Sequence, residues 1–170
     1  MAMPRKLKNF NLFADAVSWI GLVPEVVLPK LTRVMEGYRA GGMNGSAKVD
    51  LGQGDLEAEL SLGGLVKQVF EQYANTKVDG VLLRFAGAYQ EDATSSVSAV
   101  EVVMRGRYEE IDMGNAKVAE NADMKVKIPL TYYKLTIDGT EMIEIDVVNF
   151  IERVNGVDML AKQRQAMGIN

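Results

Sequence analysis

The chain contains no cysteine and no histidine. No disulfide can form, and a Ser-His-Asp or Cys-His relay lacks its imidazole. Zinc sites are built mainly from the same two residue types, so a structural zinc is not expected, nor is any cofactor. Proline is scarce, with four in 170 residues, and tryptophan occurs once. Long apolar runs are missing: none approaches the roughly 20 residues that a helical membrane span needs. Residues 1–8 carry basic side chains but no following apolar stretch of signal-peptide length. The chain is therefore expected to be made in, and soluble in, a cytoplasm. A surplus of positive charge is lacking as well. The net charge is −4, the wrong sign for a tight duplex binder, which neutralises phosphates with lysine and arginine.

What remains is ordinary globular material. Hydrophobic residues make up 48% and charged residues 25%. A domain near this size buries roughly 70% of its unfolded surface, so a core is available without staples. No internal repeat and no linker divides the chain, and residues 1–170 read as one domain.

Alternation of apolar and polar residues predicts strands along most of the sequence. Residues 7–13 and 19–23 read as a hairpin turning near Asp15. Val26, Val27 and Leu28, bracketed by Pro24 and Pro29, read as a short edge strand, because proline cannot donate to a ladder. Residues 31–38 form another strand. Residues 39–54 hold Gly41, Gly42, Gly45, Gly52 and Gly54 with Asn44, Ser46 and Asp50, which predicts a long loop. Such loops are uncommon inside compact domains and usually functional. Leu56, Ala58, Leu60 and Leu62 then alternate with Glu57, Glu59 and Ser61. Leu65, Val66, Val69, Phe70 and Tyr73 fall at helical spacing, predicting an amphipathic helix over 65–74.

Strands follow at 81–89 and 97–111, with a polar loop at 113–121. In the segment from Met124 the apolar phase slips by one residue at Tyr132-Tyr133, which predicts a bulge. Asp138-Gly139 is a strong hairpin signal, with a return strand at 142–148. Asn155-Gly156 predicts a turn, and residues 157–167 a final helix with Asp158 in its first turn.

Several motifs can be set aside. The run from Gly41 to Lys48 has no Gly-Lys-Ser/Thr closure and is not a phosphate loop. Asp50 and Asp55 miss the spacing of a calcium loop. Glu57 with Glu59, or Glu109 with Glu110, would need a desolvated partner to act as an acid/base pair, and a wet sheet face is the simpler reading. The ten methionines sit at core-periodic positions such as Met104 and Met124.

Three segments carry a resemblance. The first is Leu28-Pro29-Lys30-Leu31-Thr32 with Glu36-Gly37-Tyr38-Arg39-Ala40-Gly41-Gly42-Met43. The second is Val102-Val103-Met104-Arg105-Gly106-Arg107 with Glu110-Ile111-Asp112. The third is Tyr132-Tyr133-Lys134-Leu135, then Glu144-Ile145-Asp146 and Val154-Asn155-Gly156-Val157-Asp158. In order and across the chain, these resemble the major tail tube protein family of contractile-tailed phages and R-type pyocins. Ala16 stands where that family often has glycine, so strain is expected there if the turn is left-handed.

The resemblance implies a mainly β fold: two packed antiparallel sheets, a sandwich or partial barrel, with one flanking α-helix and a short C-terminal helix. It implies a structural role rather than an enzymatic one. Six copies would close into a ring, rings would stack into a hollow tube, and the tube would conduct DNA or ions. Its partners would be further copies of itself and the sheath, baseplate, tape-measure and terminator proteins. DNA would be only non-specific cargo, and no membrane insertion is implied. The protein would reside in a virion tail or bacteriocin particle. An independent β-sandwich that binds a small ligand, or a type VI secretion tube, are the alternatives.

Three groups of residues become candidates. Tyr38, Arg39, Gly41, Gly42 and Met43 would form a stacking loop. Glu144, Asp146, Asn155 and Asp158 would form a second contact between subunits. Glu57, Glu59, Glu101 and Glu109, offset by Arg105, Arg107, Lys125 and Lys127, would line the lumen. A neutral-to-acidic wall is the physical expectation, because a basic wall would bind phosphates at every ring.

Overall fold

Period-2 alternation dominates the sequence, and strands dominate the fold. The computed structural model describes residues 1–169. In chain order these form β1 (Arg5–Ala14), β2 (Val17–Ser18), β3 (Glu25–Val27), β4 (Arg33–Tyr38), β5 (Ala47–Gln53), β6 (Leu56–Leu62), α1 (Lys67–Glu71), β7 (Val81–Glu91), β8 (Val97–Gly106), β9 (Glu110–Asp112), β10 (Met124–Ile137), β11 (Thr140–Asp146), β12 (Ile151–Val154), β13 (Val157–Asp158) and α2 (Ala161–Ala166).

β10 is the spine of the molecule. Its first half pairs with β6 on one side and β9 on the other, and its second half pairs with β8 and β11. Two layers result from one continuous hydrogen-bonded ladder. The small layer runs β3-β6-β10-β9, and the large layer runs β13-β12-β11-β10-β8-β7-β1-β2. Between them lies the core: Leu56, Ala58, Leu60 and Leu62 from β6, Val126, Ile128 and Leu130 from β10, and Leu83, Phe85, Val102, Met104 and Tyr133 from the large layer. Trp19 is buried with them, its indole N–H donating to Gln68 Oε1 at 3.0 Å.

The strand can serve both layers because it is bulged. Pairing with β8 steps from Leu130↔Gly106 to Tyr132↔Arg105, leaving Thr131 extra. The buried side therefore changes from Met124, Val126, Ile128 and Leu130 to Tyr133, as the slip in apolar phase predicts. At the same crossing, a Cβ on Gly106 would sit 2.1 Å from the Pro129 carbonyl oxygen. Glycine is required there because backbone meets backbone.

The turns follow their sequences. Asp138 and Gly139 are both left-handed and join β10 to β11, and Asn155 and Gly156 do the same between β12 and β13. At the first hairpin the left-handed residue is Asp15; Ala16 is not left-handed, so the anticipated strain is absent at that residue.

Four expectations are corrected. The loop over 39–54 is only half a loop: residues 47–53 are β5, the return strand of a hairpin with β4, and 39–46 form its tip. Glycine at Gly52 is left-handed and accommodates an irregularity in that strand rather than ending it. The helix over 65–74 shrinks to α1, with Val66 and Val69 buried but Leu65, Phe70 and Tyr73 exposed. The strand over 97–111 breaks after Gly106, because β9 must leave β8 to follow the other half of β10. Residues 157–158 are β13 rather than the start of the final helix, which begins at Ala161.

Candidate assembly surfaces

The hairpin β4–β5 is a sheet of its own. It continues the β3–β6 pair through a kink, where Pro29 is buried and the Gly54 N–H donates to the Thr32 carbonyl at 2.7 Å. A Cβ on Gly54 would lie 2.3 Å from Thr32 Oγ1, so the crossing is tight. Strand register puts Val34, Glu36, Tyr38, Ala47 and Val49 on one face and Arg33, Met35, Lys48 and Asp50 on the other. Both faces are open to solvent: Tyr38 is 58% exposed on one and Met35 51% on the other.

One side chain ties this hairpin to the body. Arg33 donates through Nε to Asp50 Oδ2 at 2.8 Å and through Nη1 to Glu152 Oε1 on β12. These bonds raise the Arg33 pKa further above its ordinary value. Hydrogen bonds from Arg33, then from the Gly52 N–H, hold Asp50 below the usual carboxylate range. At the tip, the candidates Tyr38, Arg39, Gly41, Gly42 and Met43 lie together. The Met43 N–H donates to the Ala40 carbonyl at 3.1 Å, Arg39 Nε donates to the Met43 carbonyl at 3.2 Å, and Gly42 is left-handed.

The second candidate group is not one surface. Glu144 is buried, accepting from Tyr132 Oη at 3.1 Å and Arg153 Nη1 at 2.6 Å. Burial, with Glu144 nearby, pushes the Tyr132 hydroxyl up to about 12. Asp158 accepts from the Leu160 N–H at 3.1 Å and from both terminal nitrogens of Arg164. Arg164, more than any other partner, holds Asp158 below the usual carboxylate range. Both acids therefore have partners inside the subunit. Asp146 accepts from the Asn149 backbone and side chain at 3.0 and 2.7 Å, and Asn155 sits in its exposed hairpin turn.

The lumen candidates also divide. Glu57, Glu59, Lys125 and Lys127 point out from the small layer, with Lys127 Nζ 3.8 Å from Glu59. Glu101 and Arg105 point out from the large layer, on the other side of the core, where Glu101 pairs with Arg84 at 3.2 Å. Arg107 and Glu109 lie in the link between β8 and β9. A single wall holding all eight is thus corrected: two layers with a shared core have opposite outer faces. Register adds Glu25, Glu110 and Asp112 to the small layer's outer face, residues that short flanking strands concealed in the sequence. Among the described residues, no group of acidic side chains is placed to hold a metal ion.

A profile of the phage tail tube protein FII family matches residues 4–168. The chain belongs to that family. The tube subunit is 54% identical over 172 residues to the tail tube protein of Escherichia phage P2, covering 99% of this chain and all of that one. It is 42% identical over 161 residues to the major tail tube protein of Serratia phage KSP20, covering 94% and 92% of the two chains. Its fold matches a chain of the extracellular contractile injection system PVC sheath–tube complex in the extended state, with a TM-score of 0.60 at 11% identity, over 78% of this chain and 91% of that one. A chain of the six-fold-symmetrised anti-feeding prophage (AFP) baseplate also matches, with a TM-score of 0.55 at 11% identity, over 80% and 97%. The protein is a structural subunit of a tail tube.

The residues that sequence reasoning missed are Arg33, Glu152, Val34, Val49 and Leu51. A signal was present for two of them: Val49 and Leu51 interleave with Lys48 and Asp50, a period-2 pattern masked by the surrounding glycines.

Proposed function

We propose that this subunit closes into six-membered rings that stack into the hollow inner tube of a contractile-type phage tail. The observation that carries the reading is the hairpin β4–β5. Two strands alone are at best marginally stable in water, and these two display Val34, Tyr38 and Val49 to solvent. A neighbouring copy that covers this face removes both problems. Gly41, Gly42 and Met43 at the tip, and the exposed Asn155 turn, are further contact points in this reading. The likeness to chains of sheath–tube and baseplate assemblies supports the same arrangement, with sheath, baseplate, tape-measure and terminator proteins as partners and the virion tail as the site of action.

The small layer is the better lumen wall. Its outer face carries Glu25, Glu57, Glu59, Glu110 and Asp112 against Lys125 and Lys127. The large layer's outer face is balanced, with Arg84, Arg105, Lys134 and Arg153 matching Glu101, Glu141, Glu144 and Asp146. An acidic wall lets a polyanion pass with water and cations between the surfaces, and DNA is non-specific cargo. Both rim strands of the small layer, β3 and β9, pair on one side only, so each offers an edge to a neighbour. Heterologous contacts whose rotation closes produce a ring.

Electron microscopy of concentrated protein tests the proposal. Tubes of uniform bore are expected from the intact chain, and none after residues 39–46 are replaced by Asn-Gly. Tubes that form equally well without the tip would refute the hairpin's role.

A further inference from the structure

A groove of about 520 Å³ lies between the base of the hairpin and the far end of the large layer. Its walls include Leu51, Val147, Phe150, Ile151 and Leu160, and acidic Asp50, Asp146 and Glu152 stand around them with Arg33 as the single cation. Arg33 keeps Asp50 below the usual carboxylate range, so that acid stays charged at neutral pH. The groove thus has apolar walls and an acidic rim.

We infer that this groove receives the hairpin tip of a second copy of the chain. The inference rests on the assembly reading above and names the receptor for the hairpin. The tip has the complementary chemistry: Arg39 is the one charged side chain of residues 39–46, and Met43 within the tip and Tyr38 at its edge supply apolar bulk. The volume accommodates more than one such side chain. Complementary charge would set orientation and encounter rate, and burial of Tyr38 and Met43 would supply most of the affinity.

Two other clefts fit less well. The one beside Lys30, Asp55, Glu57 and Glu59 is also acidic but offers only Val27 and Leu28 as apolar surface, and it lies on the face assigned to the channel. The one between Phe70, Tyr73 and Ile111 is apolar with no acid in its lining.

The placement has a geometric consequence. Donor tip and receptor groove lie at opposite ends of the same hairpin. Each docked copy therefore presents a free tip of its own, and the contact is heterologous and propagates. It also couples the two ends: Arg33, which shapes the groove, is in the strand that leads to the tip. A subunit whose hairpin is disordered would lack both halves of the contact.

The absence of native cysteine makes the test clean, since engineered thiols can pair only with each other. Asn44→Cys marks the tip and Gln163→Cys marks the groove's helix wall; both positions are exposed. Tubes assembled from the double variant and oxidised should run as ladders of cross-linked chains. A mixture of the two single variants should give dimers, and either single variant alone should give none. Val147→Cys provides a second groove position with the same expectation. Tubes that form but show no tip-to-groove cross-links, or that cross-link Asn44→Cys with Glu57→Cys instead, would overturn the inference while leaving the hairpin's role intact. Failure of the assembly reading itself would look different: the intact chain would form no tubes at any concentration.

Discussion

The sandwich and the hairpin treat apolar residues in opposite ways. Leu60, Leu62 and Ile128 are sealed between two layers, whereas Val34, Met35, Tyr38 and Leu51 stand in solvent on a two-stranded ribbon. The sandwich satisfies its interior within one chain: its ladder is continuous, its bulge is matched by Gly106, and Glu144 finds both Tyr132 and Arg153. The hairpin is held to the body by Arg33 and a kink at Gly54, and is otherwise uncovered. In a protein that works only as one copy among many, the division is physically sensible. Stability is stored where no neighbour is needed, and apolar surface is left on the hairpin where the proposed assembly brings one.

The contrast can be broken most severely at the crossing of β10. Gly106→Val should destabilise the subunit by more than about 4 kcal/mol, because the added Cβ meets backbone that cannot yield. Chemical denaturation checks it, and a variant that melts like the parent would mean the two halves of β10 can separate freely. Leu60→Ala should cost about 2–5 kcal/mol, and tube yield should fall only as far as the folded fraction falls. Glu144→Ala removes charge-assisted bonds to a half-buried hydroxyl and an arginine, and a loss of about 1–3 kcal/mol is expected by the same measurement. At the small end, replacing residues 39–46 with Asn-Gly should move stability by less than about 0.5 kcal/mol while abolishing tubes. The last pair of results, one region governing folding and the other assembly, is what would fail if hairpin and sandwich were one cooperative unit.

Acid titration sharpens the same comparison, because each region contains an aspartate whose pKa is depressed by an arginine. Asp50 in the hairpin and Asp158 beside α2 are both depressed by an arginine partner. A carboxylate with a lowered folded pKa contributes stability that is fully present above its unfolded value of about 3.9 and is lost as pH falls through the folded value. The melting difference between the parent and Asp158→Asn should therefore hold from neutral pH down to about 4 and close below it. Asp50→Asn should show little difference in global melting at any pH, yet should expose the hairpin to protease at neutral pH. A global melting loss from Asp50→Asn equal to that from Asp158→Asn would contradict the separation.

Much of the sandwich was legible because its signals are local. Leu56 to Leu62 alternate cleanly, Asp138-Gly139 specifies a two-residue turn, and the slip at Tyr132-Tyr133 marks the bulge on the strand that bears it. The resemblance read from short motifs, such as Tyr38-Arg39-Ala40-Gly41-Gly42-Met43, was enough to point to the tail tube family. Other features depend on distant partners and have no local mark. Glycine density hid β5, whose strand character comes from pairing with β4. Val157 and Asp158 carry helical spacing, but a free edge on β12 takes them first. Glu101 and Glu57 read alike on polar strand faces, and only the fold of β10 sends them to opposite sides of the core. The sequence by itself determined the period of each element and the turns between them, since these rest on adjacent residues. Which layer each strand joins, which carboxylates are already engaged and which face remains free for a neighbour were decided by tertiary packing, because each depends on residues far apart in the chain.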